Sequence, residues 1–423
     1  MSKSCKMRRT TGSNTLLWTN PRRAMSTHYF SEVSSNLSRS RALAPVSSRS
    51  RNLGAPIREL EEHRLAPDDR VEKVDQMNKP LLAISVFLAI GGAVFLTMPL
   101  QAQTRVEITS PGFRGTLHDN VSNQKRQGSG VSPLTVQPYP HASLFRDDAV
   151  GLNFEHVFNG AAAQHDISMF TPRTDPCVVK RTGEHSYVLR WSADESSWGL
   201  DAQMQYDFSN PGQIDLEFEC TPRTQLFSQG FVAMMWASYL HHACDRKIHF
   251  WGQDRDRIGW VRFGEGEGAD IEVGTVAHAM SEPLPFEKGA QTLNLVEHDS
   301  KKFITPFYYG LIDGDHDFST TDDRLLYLTL FDQTDAIRFA MWNFFRDEAG
   351  NPDTHSPAWD WQYVIRHPEI GQTYRYRARI IVKPFRGESQ VWEEYRRWMQ
   401  ECGSNLPPPP VTAEAAKQQG RGE

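Results

Sequence analysis

The chain has 423 residues, 39% hydrophobic and 23% charged, with a formal net charge of −6, the proportions of a globular protein long enough to bury a sizeable core. Residues 1–76 carry fourteen Lys/Arg against eight Asp/Glu, which leaves an acidic remainder and argues against nucleic acid as the partner of the C-terminal body, because phosphate binding needs a basic surface. The five cysteines (Cys5, Cys177, Cys220, Cys244, Cys402) include no CxxC pair, so zinc-ribbon and thioredoxin-type sites have no support.

Residues 1–76 are rich in Ser and Arg and lack apolar periodicity, so they read as a disordered basic extension that builds no core. Residues 81–100, LLAISVFLAIGGAVFLTMPL, run without a charge and as a helix would just cross a bilayer core of about 30 Å. Met77-Asn-Lys79 makes a short positive n-region, and Leu100-Gln101-Ala102 a weak cleavage site. Residues 77–102 therefore read as a signal peptide, with translation starting at Met77. The rival is an uncleaved anchor whose basic side stays in the cytoplasm. Gly91-Gly92 and Pro99 suit a buried soluble helix poorly. Either way the body is expected to be exported (periplasmic, extracellular or membrane-anchored), and a membrane is a partner only through residues 81–100. There the last four cysteines could form two disulfides; with cysteine so sparse, buried thiols are preferred.

Residues 103–138, dominated by Gly, Ser, Gln and Asn, read as a linker. The folded body is expected over residues 139–403, and residues 404–423, with prolines 407–410, read as a disordered tail. Within the body the dominant period is two. Ile214-Asp-Leu-Glu-Phe-Glu-Cys220 alternates apolar with acidic, and Tyr374-Arg-Tyr-Arg-Ala-Arg-Ile-Ile-Val382 repeats the theme with arginines outward. Tyr187-Val-Leu-Arg-Trp191 and Gln203-Met-Gln-Tyr-Asp-Phe208 extend the series, and Asn210-Pro-Gly212 marks a turn. Residues 325–331 and 336–345, separated by Asp332-Gln-Thr-Asp335, have the spacing of a hairpin. Residues 388–402 place Val391, Trp392, Tyr395, Trp398 and Met399 on one helical stripe. Such alternation belongs to antiparallel sheets with one wet face. The predicted fold is all-β, a large antiparallel β-sandwich with a C-terminal helix.

No GxGxxG, Walker A, HExxH or GxSxG pattern is present, so no cofactor is implied and nucleotide, zincin and α/β-hydrolase chemistry lack support. Gly264-Glu-Gly-Glu-Gly268 is glycine-rich but would repel phosphate. Three groupings could carry chemistry. In the first, residues 151–160, Asn153 and Glu155 lie opposite Leu152 and Phe154, and a carboxylate beside the His156 imidazole can supply general base and acid. A solvated strand face is the plain alternative. The second, residues 236–251, holds His241, His242 and His249. Neighbours on a strand point to opposite faces, so His241 and His242 cannot share a site there. His242 and His249 converge only if Asp245-Arg246-Lys247 turns a hairpin. Sugar contact or acid–base work, structural packing and a metal pair all remain open for these histidines, and no metal is assigned. The third, residues 353–366, combines Trp359, Asp360, Trp361, Tyr363 and Arg366, rings and polar groups suited to a saccharide, although aromatics also fill β cores. Tyr308, just before the acidic residues 313–317, would add to such a groove.

From LNFEHVFNG through Asn210-Pro-Gly-Gln-Ile-Asp-Leu-Glu-Phe-Glu219 and residues 231–239 to Trp359-Asp-Trp361, the body resembles secreted proteins of the galactose-mutarotase-like supersandwich class, over about residues 139–385. The resemblance implies a supersandwich with a sugar groove across one concave sheet. By the roles that mutarotases give a glutamate base and a histidine acid, it also implies Glu155 as base and His242 as acid. Asn153, His156, His241, His249, Tyr308, Asp360, Trp361 and Arg366 would then contact the substrate. The expectation is an exported carbohydrate-associated protein that binds or modifies a saccharide or polysaccharide. The same fold also serves non-catalytic modules, so enzyme status stays open. The rivals are a surface or interaction module and a metal-dependent hydrolase using His242 and His249.

Overall fold

A computed structural model describes residues 104–410, apart from residues 121–127, 138, 163–166, 268–270, 291–299, 319–322, 348–349 and 404–405. The basic extension, the apolar run 81–100 and residues 411–423 lie outside the described residues. Among the described residues no helix is long and apolar enough to cross a membrane. Cys177, Cys220, Cys244 and Cys402 are free thiols.

Three antiparallel sheets share one core. The first runs in order β1 (Arg105–Thr109), β2 (Phe113–His118), β3 (Gly130–Val136) and β4 (Tyr139–Ser143). The second has the order β13 (Gly274–Ala277), β17 (Ile337–Trp342), β18 (Ala358–Arg366), β10 (Phe231–Ala237) and β5 (Asn153–Phe158). The third and widest runs β12 (Arg257–Phe263), β11 (Ile248–Asp254), β15 (Phe307–Asp313), β16 (Arg324–Phe331), β19 (Tyr374–Pro384), β9 (Gln213–Pro222), β8 (Leu200–Asp207), β7 (Ser186–Trp191) and β6 (Val178–Arg181). The short β14 (Lys301–Phe303) pairs beside it with β11. Inward side chains from all three sheets meet: Phe113 and Leu134 from the first, Phe154, Trp236 and Trp361 from the second, Leu189, Phe218 and Tyr376 from the third. Trp236 stacks between Phe154 (5.2 Å) and Trp361 (5.9 Å), its neighbours across the strands. Apolar side chains removed from water on facing sheets supply the main stabilisation of such a sandwich.

Two sequence expectations are corrected. The segment read as a linker contains folded strands: Arg105–Thr109, Phe113–His118 and Gly130–Val136 are β1 to β3, with Phe113 and Leu117 fully buried. Glycine and serine around a few alternating apolar residues had masked short strands. Residues 325–331 and 337–342 are not a hairpin either, because β16 belongs to the third sheet and β17 to the second. The connection arches between sheets, and Phe331 faces Phe339 across the core at 6.0 Å. Both strands are buried on both faces, so either face can meet another layer.

The acidic column of β9 lies beside the arginine column of β19, Asp215 opposite Arg379 and Glu219 opposite Arg375, so the two alternating patterns complement each other on the wet face. The other half of that sheet is covered by the helix α1 (Glu388–Cys402). Val391, Trp392, Tyr395 and Trp398 pack on Phe307, Tyr309, Leu326 and Leu328. Leu406 joins this cluster, and Tyr395 Oη donates to the Pro407 carbonyl at 2.7 Å. The start of the expected tail is thus docked on the helix.

Candidate functional site

Because Trp359, Trp361 and Tyr363 on β18 and Ile337 and Phe339 on β17 point into the sandwich, alternation sends Asp360, Gln362 and Arg338 to the opposite, outer face of the second sheet. There they form a polar row with Thr275: all four are 0% exposed. Gln362 faces Arg338 across the strands and its Nε2 donates to Thr275 Oγ1 at 3.4 Å; Asp360 Oδ1 accepts the Ser238 N–H at 2.9 Å. Met169, Phe170, Leu284, Phe286, Trp342 and Phe345 roof this face.

At the β5 edge the chain breaks its period. Trp236 pairs with Phe154 and Met235 with His156, so Glu155 is the extra residue of a β-bulge. A bulge re-aims side chains. Phe154 stays in the core, while Asn153, Glu155 and His156 all serve the outer face, where His156 Nδ1 lies 3.3 Å from Met235 Sδ. Glu155 is 2% exposed and accepts from Tyr239 Oη (2.9 and 3.1 Å) and Asn153 Nδ2 (3.1 Å). His156 Nε2 lies 3.4 Å from Glu155 Oε1, and Arg173 3.6 Å. Phe170 sets its ring edge against His156 at 4.4 Å. These donors allow a carboxylate inside an apolar setting, and the phenol, carboxylate and imidazole form a chain along which a proton can pass.

Beyond Tyr239 the chain crosses from the second sheet to the third. It is held by His241 N–H to the Leu144 carbonyl (2.9 Å), Ala243 N–H to His355 (3.0 Å), Cys244 N–H to Leu311 (2.8 Å), and by the Asp313 N–H donating to the His242 carbonyl (2.9 Å). This rim carries His241 and His242, with ring centroids 3.7 Å apart, and His316, 3.4 Å from His242. Burial and then the neighbouring imidazoles push His242 down to about 3, and burial and then His241 push His316 down to about 4.

The structure therefore unites Asn153, Glu155, His156 and Asp360 on one sheet face and separates the rest. The imidazole beside Glu155 is His156, not His242, because the bulge replaces alternation at that point. His249 lies on β11, its ring stacked on Tyr309 at 4.8 Å, and burial lowers it to about 4. No hairpin brings it to His242, since residues 239–247 span two sheets. Trp361 and Tyr308 are core residues with no exposed surface; Trp361 Nε1 donates to Tyr376 Oη at 2.8 Å, and Tyr308 Oη to the Trp359 carbonyl at 3.4 Å. Neither can offer a ring face to a ligand. Arg366, half-buried at the far end of β18, donates to the Glu282 carbonyl. Sequence reasoning missed Tyr239, Arg173, Arg338, Gln362 and Thr275. Arg338 had a signal: one cation inside the run Ile-Arg-Phe-Ala-Met-Trp calls for a partner.

A separate cavity of about 340 Å³ opens on the wet half of the third sheet beside α1, lined by Gln205, Asp215, Glu217, Arg377, Arg379 and Trp398 among others; it contains none of the residues expected from sequence.

No family model and no curated protein matches the chain. Among solved structures, the chain is similar to a putative aldose 1-epimerase from Escherichia coli K12, at 8% identity over 67% of this chain and 99% of that one, TM-score 0.36. It is also similar to a galactose mutarotase related enzyme from Lactobacillus acidophilus, at 8% identity over 66% and 97%, TM-score 0.35. A third similarity is to an alpha-N-acetylgalactosaminidase from Bifidobacterium bifidum, at 12% identity over 70% of this chain and 39% of that one, TM-score 0.38. At such identities and scores no residue role is carried across.

Proposed function

We propose that the protein binds a saccharide on the outer face of its second sheet and moves a proton on it through Glu155, with Tyr239 and His156 as its partners. The carrying observation is the bulge that sets Glu155 and His156, consecutive in the chain, on one face 3.4 Å apart, with Tyr239 Oη 2.9 Å from the carboxylate. Support also comes from the rest of that face. Buried Arg338, Asp360, Gln362 and Thr275 continue the polar row behind it, and half-buried Phe170, Trp342 and Phe345 edge it with rings. Export is proposed with this function, on the strength of the uncharged run 81–100 and its positive flank; cell fractionation that leaves the product in the cytosol removes it.

The test is a saccharide screen by tryptophan fluorescence, followed by NMR of anomeric exchange or bond cleavage with any sugar that binds. Glu155→Gln keeps the shape and removes the base, so turnover is expected to fall by about 10²–10⁴-fold with binding retained. A screen without binders, or full turnover in the folded variant, overturns the proposal. A second reading is favoured by the 2% exposure of both Glu155 and His156: the network only braces the sheet, in which case Glu155→Gln lowers stability and no sugar binds.

A further inference from the structure

Alternation turns His249 and Trp251 of β11, and Trp260 and Arg262 of β12, to the outer face of the third sheet, since Ile248, Phe250, Val261 and Phe263 fill the core. His249 pairs with Arg262 on one side and with Tyr309 of β15 on the other, and Trp251 pairs with Trp260. The His249 ring lies on the Tyr309 ring at 4.8 Å, and Trp260 meets Tyr309 edge to face at 5.6 Å and Trp251 at 5.8 Å. Trp392 of α1 backs both indoles, at 5.3 and 5.5 Å. Arg262 and Glu388, at the start of α1, both act electrostatically on the Tyr309 hydroxyl, which places them beside it. His249, Trp251 and Trp260 are half-buried, whereas Arg262 and Glu388 are exposed. Among the described residues the His249 ring nitrogens, the two indole N–H groups, the Tyr309 hydroxyl and the Glu388 carboxylate have no hydrogen-bond partner, and none of these atoms is sealed from water. The Arg262 guanidinium has one ion-pair contact there, Glu265 at 3.9 Å.

We propose that His249, Trp251, Trp260, Arg262, Tyr309 and Glu388 form a second saccharide site, a surface platform that holds one sugar ring of a neutral polysaccharide and does no chemistry on it. The platform is independent of the role given to Glu155, which lies on the other side of the sandwich. Packing fixes its rings, so an incoming sugar has little to order: both indoles rest on Trp392, and Tyr309 lies between His249 and Phe385, the latter at 5.9 Å. The C–H face of a pyranose is apolar and removes half-exposed indole from water when it covers it. Its hydroxyls need donors and acceptors side by side. The indole N–H groups and Arg262 donate, Glu388 accepts, and neutral imidazole and phenol do either. Arg262 and Glu388 cancel in charge, which suits a neutral ring better than a phosphate or an amine. One imidazole and one carboxylate are too few ligands for a metal ion. The core of a protein–protein interface is depleted of charged residues, whereas here charges and rings are interleaved.

Affinity electrophoresis of the full chain in gels cast with xylan, hydroxyethyl cellulose, laminarin or glycogen tests the platform. At least one polymer should retard the parent chain. Trp260→Ala should weaken that retention by about tenfold or more, the scale of a lost aromatic contact and its burial. Arg262, whose side chain is 63% exposed, can be truncated without unfolding the sheet, and Arg262→Ala should weaken retention severalfold. Circular dichroism checks that each variant folds. Oxidation of the parent by N-bromosuccinimide, with peptide mass mapping, needs no variant: the polymer should protect Trp251 and Trp260. No retention by any of the four polymers, unchanged retention in Arg262→Ala or in folded Trp260→Ala, or oxidation that the polymer does not slow overturns the proposal. So does a dimer in sedimentation that Arg262→Ala disperses, which would mean that a second copy of the chain covers the patch. The Glu155 reading is judged by turnover and this one by retention and protection, so each can fail without the other.

Discussion

Trp361 stacks on Trp236 at 5.9 Å, lies 5.9 Å from Phe331 and gives its indole N–H to Tyr376. Trp361→Ala should therefore act on stability, costing about 3–5 kcal/mol as a core truncation. Thermal melting reads this directly, and a folded variant with the parent melting temperature would return Trp361 to the list of surface rings. The case shows what single residues disclose. The sequence grouped Asp360 with Trp359 and Trp361 in one saccharide cluster, whereas on β18 they split between two faces, both covered, so the polar residues rather than the rings mark the candidate site. Glu155 and His156 were visible as a neighbouring acid and base. Their union on one side was not, because a bulge is a matter of register with β10, and register is absent from the local pattern.

At the scale of elements, strict alternation was readable wherever one face is wet, as in β9 and β19, and the stripe of α1 was equally plain. It failed where strands are buried on both sides: β16 and β17 looked like hairpin partners, whereas a short connection serves an arch between layers just as well. It failed again where small polar residues diluted the pattern in β1 to β3. That error has a measurable counterpart. A chain beginning at residue 139 loses Ile108, Phe113, Leu117, Val131, Leu134 and Val136 from the common core, each worth about 1.5–3 kcal/mol when fully buried, apart from neighbours that can close in. It should be insoluble or melt well below one beginning at residue 104. Equal melting temperatures for the two would mean that the first sheet is an ornament.

The whole molecule inherits a pH dependence from its buried histidines. His242, His249 and His316 titrate in the fold at about 3, 4 and 4, below the ordinary 6.5. The unfolded chain therefore takes up protons first as pH falls below about 6.5, and stability drops through that window towards pH 4; above it these groups contribute nothing. Melting curves at pH 7.5, 6 and 4.5 should show the decline, and a flat profile would contradict the burial of these rings. Ordering in time follows from where α1 stands in the chain. It follows all nineteen strands of the described residues in the chain, yet it shields Phe307, Tyr309, Leu326, Leu328 and Leu330. Until it arrives, the sandwich carries a bare greasy flank, so synthesis interrupted just short of residue 388 would release a species primed to clump, and a chaperone has its natural handhold there.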